Sequence, residues 1–360
     1  MAKLYNIDDT TKKGEFKETF CKAIQSVNLN FFIGSGCSDP ALAPLCNIEN
    51  EIQEKINNGK DEEAQKQIFE FLKSFIEVSA IINDKPTYTE FNITLENYKV
   101  FLLNLSQVLF EREVNILPKQ ATIFSTNYDL FIKKAFEDIK ANVKLNDGFS
   151  RSSLLSGCFR FSTTEFFNST FNNGNIYNYR VQIPSINLIK LHGSLSWQIK
   201  DDEITFCVSN FKNLLIEWEK INEDKNIADI KKFNQKFSII LPENDKFKDT
   251  LLKQTHYDLF RIYANELDKE NTILISTGFS FEDQHILNIT RRALRNPTLK
   301  IIIFCYEKKR LKDYEQKFTL FSNVEIVYSE SEIIDFAKFN LIMGEVLSLK
   351  DNVIKSDNHE

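Results

Sequence analysis

Four short apolar runs, each about one buried strand long, end in clusters of small or polar residues. This pattern constrains the 360-residue chain more than any other feature it has. Leu29-Asn30-Phe31-Phe32-Ile33 leads into Gly34-Ser35-Gly36-Cys37-Ser38, and Ala121-Thr122-Ile123-Phe124 into Ser125-Thr126-Asn127-Tyr128-Asp129. Ile186-Asn187-Leu188-Ile189-Lys190 leads into Leu191-His192-Gly193, and Thr272-Ile273-Leu274-Ile275-Ser276-Thr277 into Gly278-Phe279-Ser280-Phe281-Glu282-Asp283. Open α/β sheets build their ligand sites outside the carboxyl ends of their strands. The predicted fold is therefore α/β, a Rossmann-like parallel sheet, with a nucleotide site and a catalytic histidine at its strand ends.

The intervening stretches define the rest of the organisation. Phe16, Phe20 and Ile24 fall on one face of a predicted helix over Glu15–Ser26. Residues 48–117 are helical in pattern, with stripes at Ile68, Phe71, Leu72, Phe75 and at Tyr98, Phe101, Leu102, Leu105, and Pro118 ends this helical insertion. The Ser-, Asn-, Phe- and Gly-rich segment 142–185 is predicted to be a smaller insertion of loops and short strands. The core is thus assigned to residues 15–47 and 118–347. Within it a helix follows Asp129 and runs to about Ile139, and Leu195–Val208 reads as a hairpin. Phe237–Leu241 is a strand, Thr250–Leu267 a helix, and Lys300–Phe304 and Val324–Val327 two further strands. A last helix over Glu332–Leu347 gives way to a polar tail, 348–360, whose end from Ser356 is expected to be disordered.

Composition excludes more than it assigns. A net charge of -6 gives no electrostatic reason to expect direct nucleic-acid binding. The trio Arg291, Arg292 and Arg295 reads as a solvated helix face. The six cysteines show no C-x-x-C spacing, so no zinc-ribbon signature is present. A disulfide framework is not expected in a chain of this size without a secretory signal. The N-terminus lacks an apolar signal core and no apolar run is long enough for a membrane span, so a cytoplasmic location is expected. Glycine is scarce, with 10 residues against 32 phenylalanines, so glycines grouped at strand ends stand out.

Each cluster has a bland reading beside a chemical one. Gly34-Ser35-Gly36 allows close backbone approach to a ligand, and its N–H groups can take phosphate oxygens; most such tripeptides are turns. Ser38 offers a hydroxyl contact or a cap. Asn127 or Asp129 can cap the helix that follows, Asp129 the stronger capping candidate, whereas the Asn127 amide suits a water or a sugar hydroxyl. Of the four histidines, His256 sits in an amphipathic helix, His285 on another helix and His359 in the tail. His192 follows a strand and precedes a glycine, as a general base at a sheet end should. Gly278 and Ser280 can hold a ribose or phosphate. Asp283 can reach a ribose hydroxyl or sit favourably in the first turn of a helix.

In order and placement these motifs (Gly34-Ser35-Gly36-Cys37-Ser38, Thr126-Asn127-Tyr128-Asp129, His192-Gly193, Gly278-Phe279-Ser280) resemble the sirtuin NAD-binding core over roughly residues 20–330. The resemblance implies that Gly34, Ser35, Gly36 and Ser38 cradle the NAD phosphates. Asn127 and Asp129 face the nicotinamide ribose, with Thr126 beside them. His192 is the base, with Asn127 as its catalytic companion. Gly278, Ser280 and Asp283 complete the cofactor-binding set. Sirtuin deacylases carry paired cysteines for a structural zinc, which this chain lacks, so no zinc is expected. Their Gly-Ile-Pro-Asp-Phe-Arg stretch is replaced here by Asp39-Pro40-Ala41-Leu42-Ala43-Pro44. The set is more similar to the bacterial sirtuin-like proteins of anti-phage defence. That resemblance implies an NAD hydrolase that depletes NAD in abortive infection, a stand-alone homo-oligomer with a separate partner, in some systems a HerA-type ATPase. An NAD-dependent deacylase and a nonenzymatic NAD or ADP-ribose sensor are the alternatives.

Overall fold

A computed structural model describes residues 2–43, 48–82, 88–112, 117–150, 158–172, 180–200, 203–207, 211–240 and 254–357. The chain opens with β1 (Lys3–Asn6), α1 (Thr10–Gln25) and β2 (Asn28–Ile33), followed by α2 (Ile48–Asn57), α3 (Asp61–Ile81) and α4 (Thr89–Phe110). Next come β3 (Gln120–Ser125), α5 (Phe131–Ile139), β4 (Lys144–Asn146), β5 (Cys158–Arg160), β6 (Phe171–Asn172) and β7 (Val181–Gln182). β8 (Ser185–Lys190), β9 (Gly193–Lys200), β10 (Glu203–Cys207), α6 (Phe211–Asp224), α7 (Ile227–Asn234) and β11 (Phe237–Ile239) follow. The chain closes with α8 (Gln254–Asp268), β12 (Thr272–Thr277), α9 (Gln284–Ala293), β13 (Leu299–Phe304), α10 (Leu311–Phe318), β14 (Val324–Tyr328) and α11 (Phe336–Asp357).

The four apolar runs are four adjacent strands, β12-β2-β3-β8, of an eight-stranded sheet ordered β1-β14-β13-β12-β2-β3-β8-β4. Every pairing in it is parallel. Helices cover both faces, which is why these strands are apolar throughout rather than alternating. From β2 the chain moves out to β3 and β8, then returns to the other side of β2 as β12 and continues to β13 and β14. The order reverses between β2 and β12, and such a reversal opens a crevice at the carboxyl ends.

The sheet reaches further than the apolar runs predict. β1 lies outside the predicted core, because only Tyr5 of its four residues is buried and no apolar run marks it. α1 starts at Thr10, where Asp9 caps it by accepting from the N–H groups of Thr11 and Lys12; Phe16, Phe20 and Ile24 are its buried face. The stripes on α3 and α4 are buried. α6 and α7, for which the sequence pattern made no prediction, pack on α3. There Trp218 stacks on Phe69 with ring centroids 4.8 Å apart and donates its indole N–H to the Phe69 carbonyl at 2.9 Å.

In segment 142–185, β4 joins the main sheet beside β8, and β6 pairs with β7 as an antiparallel ribbon. β5 belongs to a second, antiparallel sheet ordered β11-β9-β10-β5, whose β9–β10 pairing is the predicted hairpin. Cys158 is disulfide-bonded, contrary to the expectation of no disulfides, and Cys207 is its register partner on the neighbouring strand. α11 continues through the predicted polar tail to Asp357. The predicted hairpin end at Val208, strand end at Leu241, helix start at Thr250 and chain end from 358 lie outside the described residues.

Candidate active site

Asn127 stands two residues beyond the end of β3, 4% exposed. Its amide nitrogen donates to the Gly34 carbonyl (3.0 Å), to Ser38 Oγ (3.2 Å) and, more distantly, to the Tyr98 hydroxyl (3.4 Å). A carbonyl only accepts, so the Gly34 contact fixes which end of the amide is nitrogen. The opposite end, Oδ1, is buried and has no hydrogen-bond partner among the described residues. Ser38 donates to Asp129 Oδ2 at 2.7 Å and lies 3.0 Å from the Tyr98 hydroxyl. Asp129 Oδ1 accepts the Phe131 N–H at the start of α5 (3.2 Å), so this carboxylate both caps a helix and belongs to the site network. Burial, reinforced by the negative charge of Asp129, pushes the Tyr98 hydroxyl well above its ordinary pKa and keeps it a neutral donor.

Beneath this network lies Lys190, the last residue of β8. Its ammonium donates to the backbone carbonyls of Asn127 (2.8 Å) and Asp129 (3.0 Å) and so holds the loop after β3 from below. Burial lowers its pKa to about 8, with Asp129 acting in the opposite direction. Tyr128, between the two polar residues, points the other way: its hydroxyl donates to the Ile240 carbonyl (2.6 Å) and its ring meets Phe71 and Phe75 edge-on.

The β2 and β12 loops touch across the crevice backbone to backbone. Gly36 N–H donates to the Gly278 carbonyl at 3.0 Å, and a Cβ on Gly34 would lie 2.2 Å from that carbonyl oxygen. Gly278 itself has φ +64°, and a Cβ there would come within 2.7 Å of the Cys37 nitrogen. These glycines are thus required by loop-on-loop packing before any ligand is considered. Ser35, Thr126 and Ser280 are half-buried. Their hydroxyls have no protein partner among the described residues and remain free for a ligand.

Beyond Gly278 the chain crosses above β2: the Phe279 ring stacks on Phe32 with centroids 4.2 Å apart. Phe281 is fully buried in the left-handed region at φ +56°, a strained conformation for a bulky side chain. α10 pins the same segment, with the Tyr314 hydroxyl on the Phe279 carbonyl (2.9 Å) and Lys317 Nζ on the Ser280 carbonyl (2.9 Å) and Glu282 (2.6 Å). Asp283 then caps α9, its Oδ1 accepting from the N–H groups of His285 (2.9 Å) and Ile286 (3.2 Å). Its other oxygen lies 3.0 Å from His192 Nε2.

His192 occupies the joint between the two sheets, where β8 ends and β9 begins. The sharp turn uses Gly193 at φ +81°, where a Cβ would sit 2.0 Å from the Ser238 carbonyl oxygen. His256 is fully buried between the Leu191 carbonyl and Ser238, a structural histidine, and His359 lies outside the described residues. Ser38, Asn127, Asp129 and Phe75 of α3 help enclose a cavity of about 10 Å³, room for about one water. A larger groove of about 500 Å³ between α4 and α11 contains none of these residues. Among the described residues no group of three or more His, Cys, Asp or Glu is placed to hold a metal ion. No helix among them is long and apolar enough to cross a membrane.

A family model described as a SIR2-like domain matches residues 121–327, more than half of the chain. The chain belongs to the SIR2-like family. The match runs from β3 to β14, so it takes in Asn127, Asp129, His192, Gly278, Ser280 and Asp283 and leaves Gly34–Ser38 outside it. No curated protein matches the chain significantly. SIR2-like domains bind NAD, so membership suggests an NAD-utilising enzyme.

Two residues of this SIR2-like site escaped the sequence pattern. Tyr98 was absorbed into the apolar stripe of α4, where nothing distinguishes a core tyrosine from one whose hydroxyl is used. Lys190 did carry a signal: a lysine at the end of a wholly buried strand needs oxygen partners, and here they are the carbonyls of the neighbouring loop.

Proposed function

We propose that this SIR2-like protein is an NAD glycohydrolase, cleaving NAD to nicotinamide and ADP-ribose. The observation that carries the reading is the Asn127 amide. Its nitrogen is fully engaged, so its buried, partnerless oxygen is held at the sheet end. Leaving such an acceptor unmade costs on the order of 1–3 kcal/mol, which a bound water or ribose hydroxyl recovers.

The reaction asks little of an acid. Nicotinamide is cationic in NAD and leaves neutral, keeping the electron pair of the broken bond between its ring nitrogen and the anomeric carbon. The transition state is oxocarbenium-like, as in glycoside hydrolysis. A water oriented by Asn127 forms the new bond to that carbon, and His192 accepts the water proton. Ser35, Thr126 and Ser280 supply the unpartnered hydroxyls for phosphate and ribose, with Ser38 and Asp129 shaping the nicotinamide side.

The biological setting follows from the resemblance of the motifs: an NAD-depleting effector of anti-phage defence, a homo-oligomer activated by assembly with a partner such as a HerA-type ATPase. Phe75 brings α3 of the helical insertion into the wall beside Asn127, so movement of that insertion reaches the site directly. The test is to incubate the purified protein with NAD, alone and with the partner ATPase, and to separate the products by chromatography. Nicotinamide and free ADP-ribose, lost in His192→Ala, support the reading. O-acyl-ADP-ribose formed only with an acyl-peptide would replace it with a deacylase, and bound, uncleaved NAD with a sensor.

A further inference from the structure

Resting on that reading, we infer that Asp283 is the positioning residue for His192, and that Nδ1 is therefore the imidazole nitrogen that takes the proton. The carboxylate is fixed before the histidine is considered. One oxygen is committed to two backbone N–H groups of α9, where the helix N-terminus favours the ionised form. The other lies 3.0 Å from Nε2, and the two side chains are only 8% and 5% exposed. The segment delivering Asp283 is strained at Phe281 and tied to α10 at three points, so the carboxylate cannot swing freely.

An ionised carboxylate only accepts, so the favourable tautomer has the proton on Nε2 and the lone pair on Nδ1. Nδ1 has no hydrogen-bond partner among the described residues. Phe260, whose ring centroid lies 6.3 Å from the imidazole, is apolar. Lys190 is turned to the carbonyls of Asn127 and Asp129. The Nε2 contact is at ion-pair distance with the ring off the line of a good hydrogen bond, a looseness that catalytic pairs show before substrate binds. During turnover the water proton moves to Nδ1, the imidazolium is balanced by the Asp283 carboxylate, and the proton then passes to solvent.

The test uses full-length protein labelled with ¹⁵N-histidine, in which only four residues give signals. Asp283→Asn keeps the cap, since asparagine caps helices about as well as aspartate. It turns an N–H₂ toward Nε2, which drives the ring proton to Nδ1, the tautomer fault that removes base catalysis in other carboxylate–histidine pairs. The expected result is Nε2–H in the parent protein and Nδ1–H in the variant, with kcat for nicotinamide release lower by about 10²–10⁴-fold and KM little changed. Asp283→Ser, which also caps but is too short to reach the ring, is expected to lose kcat alike. The same tautomer in parent and Asp283→Asn, or an unchanged kcat in either variant, overturns the assignment. No nicotinamide release from the parent protein would instead overturn the hydrolase reading and leave the tautomer result standing, whereas full turnover in His192→Ala would remove His192 as the base and overturn the assignment.

Discussion

Asn127 is gripped by the Gly34 carbonyl, Ser38 and Tyr98, with Lys190 holding its backbone carbonyl, whereas His192 meets one carboxylate oxygen with its ring off-axis. The amide half is a closed hydrogen-bond network reaching from β2 through α4 to β8. The imidazole half is a loose pair at the joint of two sheets. The difference suits the two tasks of the proposed mechanism: a group that orients a reactant gains from rigidity, and a group that changes protonation needs a partner that tolerates both states.

The contrast can be broken most sharply at its reactive end. His192→Ala is expected to lower nicotinamide release by about 10²–10⁴-fold while leaving the melting temperature nearly unchanged; a large loss of stability would show the ring to be structural. Asn127→Ala is expected to lose turnover too, and to cost about 1–3 kcal/mol in denaturant unfolding because buried partners lose their donor. Unchanged stability there would show that the network is not rigid.

Lys190→Met probes the support under the loop. The folded-state pKa, lowered by burial from 10.5 to about 8, means that the unfolded chain binds more protons between those values. Lysine therefore weakens the fold most below pH 8. The stability of the parent minus that of Lys190→Met is expected to rise as pH increases from about 8 to about 10.5. A flat difference in pH-resolved urea melts would remove Lys190 from the account. The smallest expected effect is Tyr98→Phe, which deletes one hydroxyl from the network: about 1 kcal/mol of stability and a few-fold loss of turnover, read in the same assays.

The sequence made the sheet legible because four fully apolar runs ended in unusual clusters, and parallel strands covered on both faces must be apolar throughout. It did not reveal β1, whose edge position buries one side chain of four. Nor did it reveal α6 and α7, whose partner is another insertion helix rather than the sheet. The candidate residues at the strand ends were legible as clusters but not as pairings. Asp283 looked like a ribose ligand or a helix cap, and the structure makes it a cap whose second oxygen faces His192. That contact joins the end of β8 to a loop after β12, with two strands between them in the sheet, which no local spacing encodes.

The return of the chain to β2 has a consequence in time. Cys37 and Thr277 touch across the crevice although they are 240 residues apart. At a ribosomal rate of about 5–20 residues per second, the first wall of the crevice waits on the order of 10–50 s for the second. Until β12 is made, the nascent chain has Asn127 and His192 but neither Asp283 nor the opposing glycine loop. Under the proposed hydrolase reading, the crevice that takes NAD is therefore incomplete throughout most of the chain's own synthesis, and truncated translation products share that gap.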